Sequence, residues 1–225
     1  EHERLLDSVL DMTGNPLQEG SWKPRKGLVM GNVQAGKTMN FIGLINKALD
    51  VGYHTIVVLG GHMDELRNQA QQRIDEGLPD TSELDEKDKA LRPHCLTTID
   101  RDFIGREASA QAPNLTSSPN ITVMKKHTKV MERFIDWISK RGADIFNKPF
   151  LLIDDEADYA SINTKHAQND YTSTNKTIRD MLSLFNKPTY IAYTATPFAN
   201  VFIPFKQTIS GIEDDDLFPS DFMLR

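Results

Sequence analysis

The sequence predicts a doubly wound α/β domain, with a mainly parallel sheet and helices on both faces. Three observations predict it. Short, nearly continuous apolar runs recur along the chain and end at turn residues, as strands buried on both faces do. Helix-period segments lie between them, and such alternation of β and α builds a parallel sheet. The composition, 39% hydrophobic and 26% charged over 225 residues, supplies a full-sized core.

Taken in chain order, residues 1–12 place Leu5, Leu6, Val9 and Leu10 on one stripe and read as an amphipathic helix. Leu28-Val29-Met30 reads as the first strand, ending at Gly31. A helix follows over 38–49, with Phe41, Leu44, Ile45 and Ala48 aligned. Residues 54–59 form a second strand, stopped by Gly60-Gly61. Asp64 is a candidate N-cap for a helix over 64–76. Residues 77–92 mix Pro79 with many charges and read as a surface loop.

Residues 94–99 and 120–124 are rich in β-branched residues and read as strands. The stretch 107–119 between them reads as a second loop. A helix over 129–140 would bury Val130, Phe134, Ile135 and Ile138. Strands at 150–153 and 190–193 flank a helix over 175–185, which makes six strands. The domain division this suggests is a helical extension over 1–24, an α/β domain over 25–205 and the start of a following region over 206–225, where the acidic tail lies.

Several function classes fall away. The net charge of −6 argues against a protein that coats nucleic acid nonspecifically, though a local basic groove is compatible with it. The single cysteine, Cys95, excludes a disulfide framework and any cysteine-built zinc or iron–sulfur site, and fits a reducing cytosol. No run of 18 apolar residues is present, so no membrane helix is expected. The first residues, Glu1-His2-Glu3-Arg4, resemble neither a signal peptide nor a natural start, and a longer parent protein is expected.

Three motifs carry chemistry. Gly31-Asn32-Val33-Gln34-Ala35-Gly36-Lys37-Thr38 fits the phosphate-binding pattern G-x-x-x-x-G-K-[ST], between a strand and a helix. Its glycines let successive N–H groups turn inward, and the helix N-terminus adds its positive dipole end. Lys37 would meet the β- and γ-phosphates of ATP, and Thr38 would ligate Mg²⁺.

The second motif is Leu151-Leu152-Ile153-Asp154-Asp155-Glu156-Ala157-Asp158. Carboxylates at the end of an apolar strand need a cation or solvent. Either Asp154 or Asp155 serves the metal; Asp155 is preferred because Glu156 follows it. Glu156 would then orient the attacking water. The third motif, Thr194-Ala195-Thr196-Pro197, puts hydroxyls at another strand end, where Thr194 and Thr196 can reach the acidic motif and sense the γ-phosphate.

In this order the three motifs resemble motifs one, two and three of superfamily-two helicases and translocases. The words GNVQAGKT, GGHMDELRNQAQQRID, ITVMKKHTKVMERFIDWI, LLIDDEADYASINT, YIAYTATPFANVFI and LFPSDF resemble more narrowly the Z-one domain proteins, a family assigned endonuclease roles in bacterial restriction and phage-defence loci. The resemblance covers roughly residues 25–225. It implies a RecA-like ATPase lobe, ATP and Mg²⁺ as cofactors, and DNA as partner of the whole protein. It also implies a methyltransferase or a MutL-like ATPase among the other defence subunits.

The resemblance further places Leu66, Arg67 and Gln69 near a nucleic-acid strand, with a solvated helix face as the alternative. Lys125, Lys126 and Lys129 read either as a charged helix start or as a group touching backbone phosphates. Asn163, Thr164, Asn175 and Arg179 belong to the same wording without a mechanistic role. A second RecA-like lobe does not fit in the 28 residues after Pro197. This stretch alone is therefore expected to bind nucleotide and hydrolyse it slowly, unless an arginine such as Arg67 or Arg179 completes the site.

Other classes match less well. For a GTPase, Asn46-Lys47-Ala48-Leu49-Asp50 misses the guanine motif by one residue, and Asn186-Lys187-Pro188-Thr189 lacks its aspartate. No H-E-x-x-H pattern and no nuclease core of spaced carboxylates can be read. A small-molecule kinase would not need the second and third motifs together. The main alternative is a nucleotide-dependent switch or scaffold domain without DNA motor activity.

Overall fold

The computed structural model describes residues 2–30, 37–78, 93–112, 114–157, 173–195, 217 and 219–224. Among them the chain forms α1 (His2–Asp11), β1 (Arg25–Met30), α2 (Lys37–Val51), β2 (Thr55–Leu59), α3 (Asp64–Gly77) and β3 (His94–Cys95). It continues with α4 (Gly105–Gln111), β4 (Asn120–Met124), α5 (Thr128–Ser139) and a 3-10 turn (Ala143–Asn147). The remaining elements are β5 (Phe150–Asp155), α6 (Ser173–Ser183), β6 (Pro188–Thr194) and β7 (Asp221–Leu224). No described helix is long and apolar enough to cross a membrane.

The seven strands make one sheet, ordered β3-β4-β2-β5-β6-β1-β7. Every pairing in it is parallel. This is the doubly wound α/β class expected from the alternation. Because side chains alternate across a strand, each strand feeds two cores. Val29, Ile56, Val58, Val123, Leu151, Ile153 and Tyr193 pack under α1, α2 and α3. Leu28, Val57, Leu59, Met124, Phe150, Leu152 and Tyr190 pack under α4, α5 and α6.

Four local expectations change. Residues 107–119 are not simply a loop: Gly105–Gln111 is helical, and Ala108 and Ala112 are fully buried. Of the run 94–99, only His94–Cys95 pairs as a strand. Beyond it the Thr97 hydroxyl leaves the ladder, donating to Gln71 Oε1 and accepting from the Val123 N–H. Asp64 does not cap α3; Met63 stands at the N-cap, and the Asp64 carboxylate pairs with Lys125 at 2.6 Å. Residues 221–224, unread as a strand, form β7 beside β1.

Candidate active site at the C-terminal edge of the sheet

Parallel strands end at one edge, and register decides which ends meet there. Met30, the last residue of β1, lies opposite Thr194, the last residue of β6. Asp155, the last residue of β5, lies opposite Tyr193. Strand β6 thus stands between β1 and β5. The connection from β1 to α2, the turn after β5 and the end of β6 all leave from this edge.

Gly31, Asn32, Val33, Gln34, Ala35 and Gly36 lie outside the described residues, as do Thr196, Asn163, Thr164 and the side chains of Lys37 and Thr38. The backbone of Lys37 and Thr38 opens α2. One turn on, the buried Asn40 accepts a hydrogen bond from the Tyr193 hydroxyl at 2.8 Å. That bond ties the first turn of α2 to the middle strand of the three.

The acidic motif divides its labour. Asp154 is fully buried, 2.5 Å from Lys126 Nζ, and its other oxygen accepts from the Tyr190 hydroxyl at 2.8 Å. Its place in β5 puts it on the same face as Phe150 and Leu152, under the helices. Of the two aspartates, Asp154 is therefore committed to the interior, while Asp155 sits half-buried at the edge. The Asp155 carboxylate accepts from the Glu156 N–H at 3.1 Å.

Glu156 has a left-handed backbone, φ 56°, which a non-glycine residue adopts only at a cost of about 1 kcal/mol. The next N–H, of Ala157, donates to Tyr193 O at 3.0 Å and returns the chain to β6. The Glu156 carboxylate is partly exposed and lies 4.0 Å from His62 Nδ1. Beneath it is Gly61, at φ +87°, where a Cβ would stand 3.4 Å from Glu156 Oε2 and 3.0 Å from Leu66. Gly61 thus gives the turn both its backbone and its space.

Two residues that the resemblance set near nucleic acid are used inside the protein instead. Arg67 is 1% exposed. Its guanidinium donates to Val123 O, Ile99 O, Arg101 O, Gln71 Oε1 and Asn68 Oδ1, joining α3 to β4 and to the turn at 99–101. Burial lowers its pKa, and Asp102, Asp75 and Asp64 oppose the shift. Lys126 has a fully buried side chain. Neither is placed to touch a DNA phosphate, and Arg67 is not available to complete a nucleotide site.

The other candidates are more peripheral. Gln69 is exposed on α3, and Lys125 is half-buried against Asp64. Arg179 lines a hollow of about 200 Å³ with Trp22, Lys26 and Pro188. Pro188 opens β6, so this hollow lies toward the opposite edge of the sheet, away from Glu156. Asn175 is buried on α6. Sequence reasoning missed His62 and Tyr190. The glycine pair before His62, at a strand end facing this edge, was the available signal for the first.

No protein-family model matches the chain, and no curated protein matches it. The Z-one resemblance therefore stands on the motifs themselves. Among solved structures the chain is similar to a nuclease-deletion mutant of the Type ISP restriction-modification enzyme LlaGI, in complex with a DNA substrate mimic. The TM-score is 0.56 at 13% identity, and the match covers 100% of this chain. This chain spans 19% of the length of that one. At this identity the likeness is one of fold.

Proposed function

We propose that this chain is the ATP-binding and ATP-hydrolysing lobe of a helicase- or translocase-like protein that acts on DNA in a restriction or anti-phage system. The observation that carries the reading is the position of β6 between β1 and β5, with Thr194 opposite Met30. Two strand spacings separate the phosphate-loop strand from the acidic strand, about 10 Å. That gap suits a terminal phosphate, a metal ion and a water between a loop on one side and a carboxylate on the other.

The donor set fits Mg²⁺·ATP. The loop 31–36 and Lys37 would hold the phosphates at the start of α2. Thr38 and the half-buried Asp155 would hold Mg²⁺, which takes few protein ligands when phosphate oxygens complete its shell. The bound metal supplies charge neutralisation on the phosphates. Glu156, partly exposed and held off the sheet by its left-handed turn, orients and polarises the attacking water. Thr194, at the end of the middle strand, lies between the two halves of the site.

The DNA and defence parts of the reading are supported by the motif resemblance and by the fold likeness to a restriction-modification enzyme solved with a DNA mimic. The test is ATP hydrolysis by the full protein with and without duplex and single-stranded DNA, with Glu156→Gln as the control. Turnover raised by DNA and lost in Glu156→Gln is expected. Binding of Mg²⁺·ATP without DNA-stimulated turnover would assign a nucleotide switch or scaffold instead. No nucleotide binding at all would overturn the reading.

A further inference from the structure

We infer that Lys126 is the positioning residue of the acidic turn: it fixes the backbone from which Glu156 reaches the nucleotide, an inference that rests on the ATPase reading above. Lys126 belongs to the loop between β4 and α5, and its side chain is 0% exposed. An ammonium has three N–H donors. Here Nζ lies 2.5 Å from Asp154 Oδ1 and donates to Asp155 O at 2.8 Å and to Glu156 O at 2.7 Å. Three donors thus meet three oxygens of three successive residues.

The two carbonyls are those on either side of the left-handed Glu156 backbone. A non-glycine residue stays in that conformation only when its surroundings over-determine it. Lys126 holds the turn by its carbonyls, and β6 holds its exit through the Ala157 N–H bond to Tyr193 O. Without the lysine, Glu156 would relax toward the right-handed region and carry its carboxylate away from the edge. A buried ion pair adds little net stability over apolar side chains of the same size. The Lys126–Asp154 pair is therefore better accounted for by orientation than by stability.

The same loop connects the turn to its neighbours. The Lys126 N–H donates to Gly61 O at 2.7 Å, and the Gly60 N–H donates to Met124 O at 3.0 Å. Lys125 next to it pairs with Asp64 at the start of α3. The loops after β2 and β4 are thereby tied to the Glu156 backbone through the Lys126 side chain.

The test uses the full protein, measuring DNA-stimulated ATP turnover, ADP affinity by calorimetry and Tm for Lys126→Met and for Lys126→Met/Asp154→Asn. The single variant leaves Asp154 buried without its cation and is expected to lower Tm. The double variant removes both charges while the asparagine still accepts from Tyr190, so Tm should recover. A positioning role keeps kcat down roughly 10- to 100-fold in both variants, with ADP affinity within about twofold of wild type. Recovery of kcat together with Tm in the double variant would overturn the inference and make Lys126 a counter-ion only. Loss of ADP affinity in proportion to kcat, or a double variant that still does not fold, would overturn it as well. A wild type that binds ADP but does not turn ATP over would remove the ATPase reading and this inference with it, an outcome that the variants are not needed to detect.

Discussion

His62 Nδ1 and Glu156 Oε2 stand 4.0 Å apart, although they leave the sheet from different strands, β2 and β5. The carboxylate therefore faces a polar neighbour across the edge and is not left to solvent alone. Glu156→Gln keeps the shape and removes the charge. We expect it to lower ATP turnover by roughly 10²- to 10⁴-fold, the usual contribution of a general base. Nucleotide affinity should be kept. Steady-state hydrolysis alongside calorimetry checks both halves, and a variant as active as wild type would remove Glu156 from the reaction.

Lys37→Ala tests the other side of the site. It removes the cation at the start of α2. Affinity for Mg²⁺·ATP should fall at least about tenfold, as expected for loss of a charge-assisted contact to phosphate. Equal calorimetric affinities for variant and wild type would show that nucleotide, if bound, binds elsewhere.

Arg67→Ala should act on stability. The substitution deletes donors to the carbonyls of Val123, Ile99 and Arg101, and the Val123 oxygen it abandons is buried. Loss on the order of 2–4 kcal/mol in urea unfolding is expected. The salt dependence of any DNA binding should keep its slope, because a buried guanidinium displaces no counterion from a phosphate. A shallower slope with unchanged stability would return Arg67 to the nucleic-acid surface.

His54 makes the fold acid-sensitive. Burial lowers its pKa from 6.5 to about 4, and the nearby Lys148 charge adds to the shift, while a backbone hydrogen bond to Thr116 opposes it. The folded value is the lower one, so the unfolded chain takes up the proton first as pH falls. The stability difference is fully present above pH 6.5 and is lost as pH falls toward 4. The loss should approach about 2 kcal/mol, less than the full shift implies because solvent still reaches part of the ring. Urea unfolding at pH 7 and pH 4.5 should show the fall, and His54→Gln should flatten this part of it.

Much of this arrangement can be read from the chain, because long periodic segments declare themselves. The helices expected over 38–49, 64–76 and 129–140 form as α2, α3 and α5 with ends within two residues. Short elements do not declare themselves. Gly105–Gln111 is too brief for a clear period, and Asp221–Leu224 has one face exposed at Phe222. Residue type alone also does not separate neighbours. Lys125 and Lys126 look alike in sequence, yet one pairs at the surface with Asp64 and the other is sealed inside. Asp154 and Asp155 differ by one step of the strand, which is enough to send one under α5 and α6 and leave the other at the edge. The period of two carried that distinction in advance; the lysines carried no such mark.

The sheet order has a consequence for how the chain is made. Of the described strands β1 is the first to be synthesised, yet both of its neighbours, β6 and β7, come from the far end of the described chain. Among the described strands no hairpin forms early, since every pairing in the sheet is parallel and needs a crossover. As the polypeptide leaves the ribosome, Leu28 and Val29 must wait for partners while most of the domain is still being translated. Such long-range closure makes folding slow and leaves an apolar strand unpaired meanwhile. The C-terminal strands thus act as the latch of the domain, and assembly of the phosphate-loop strand is among its last events.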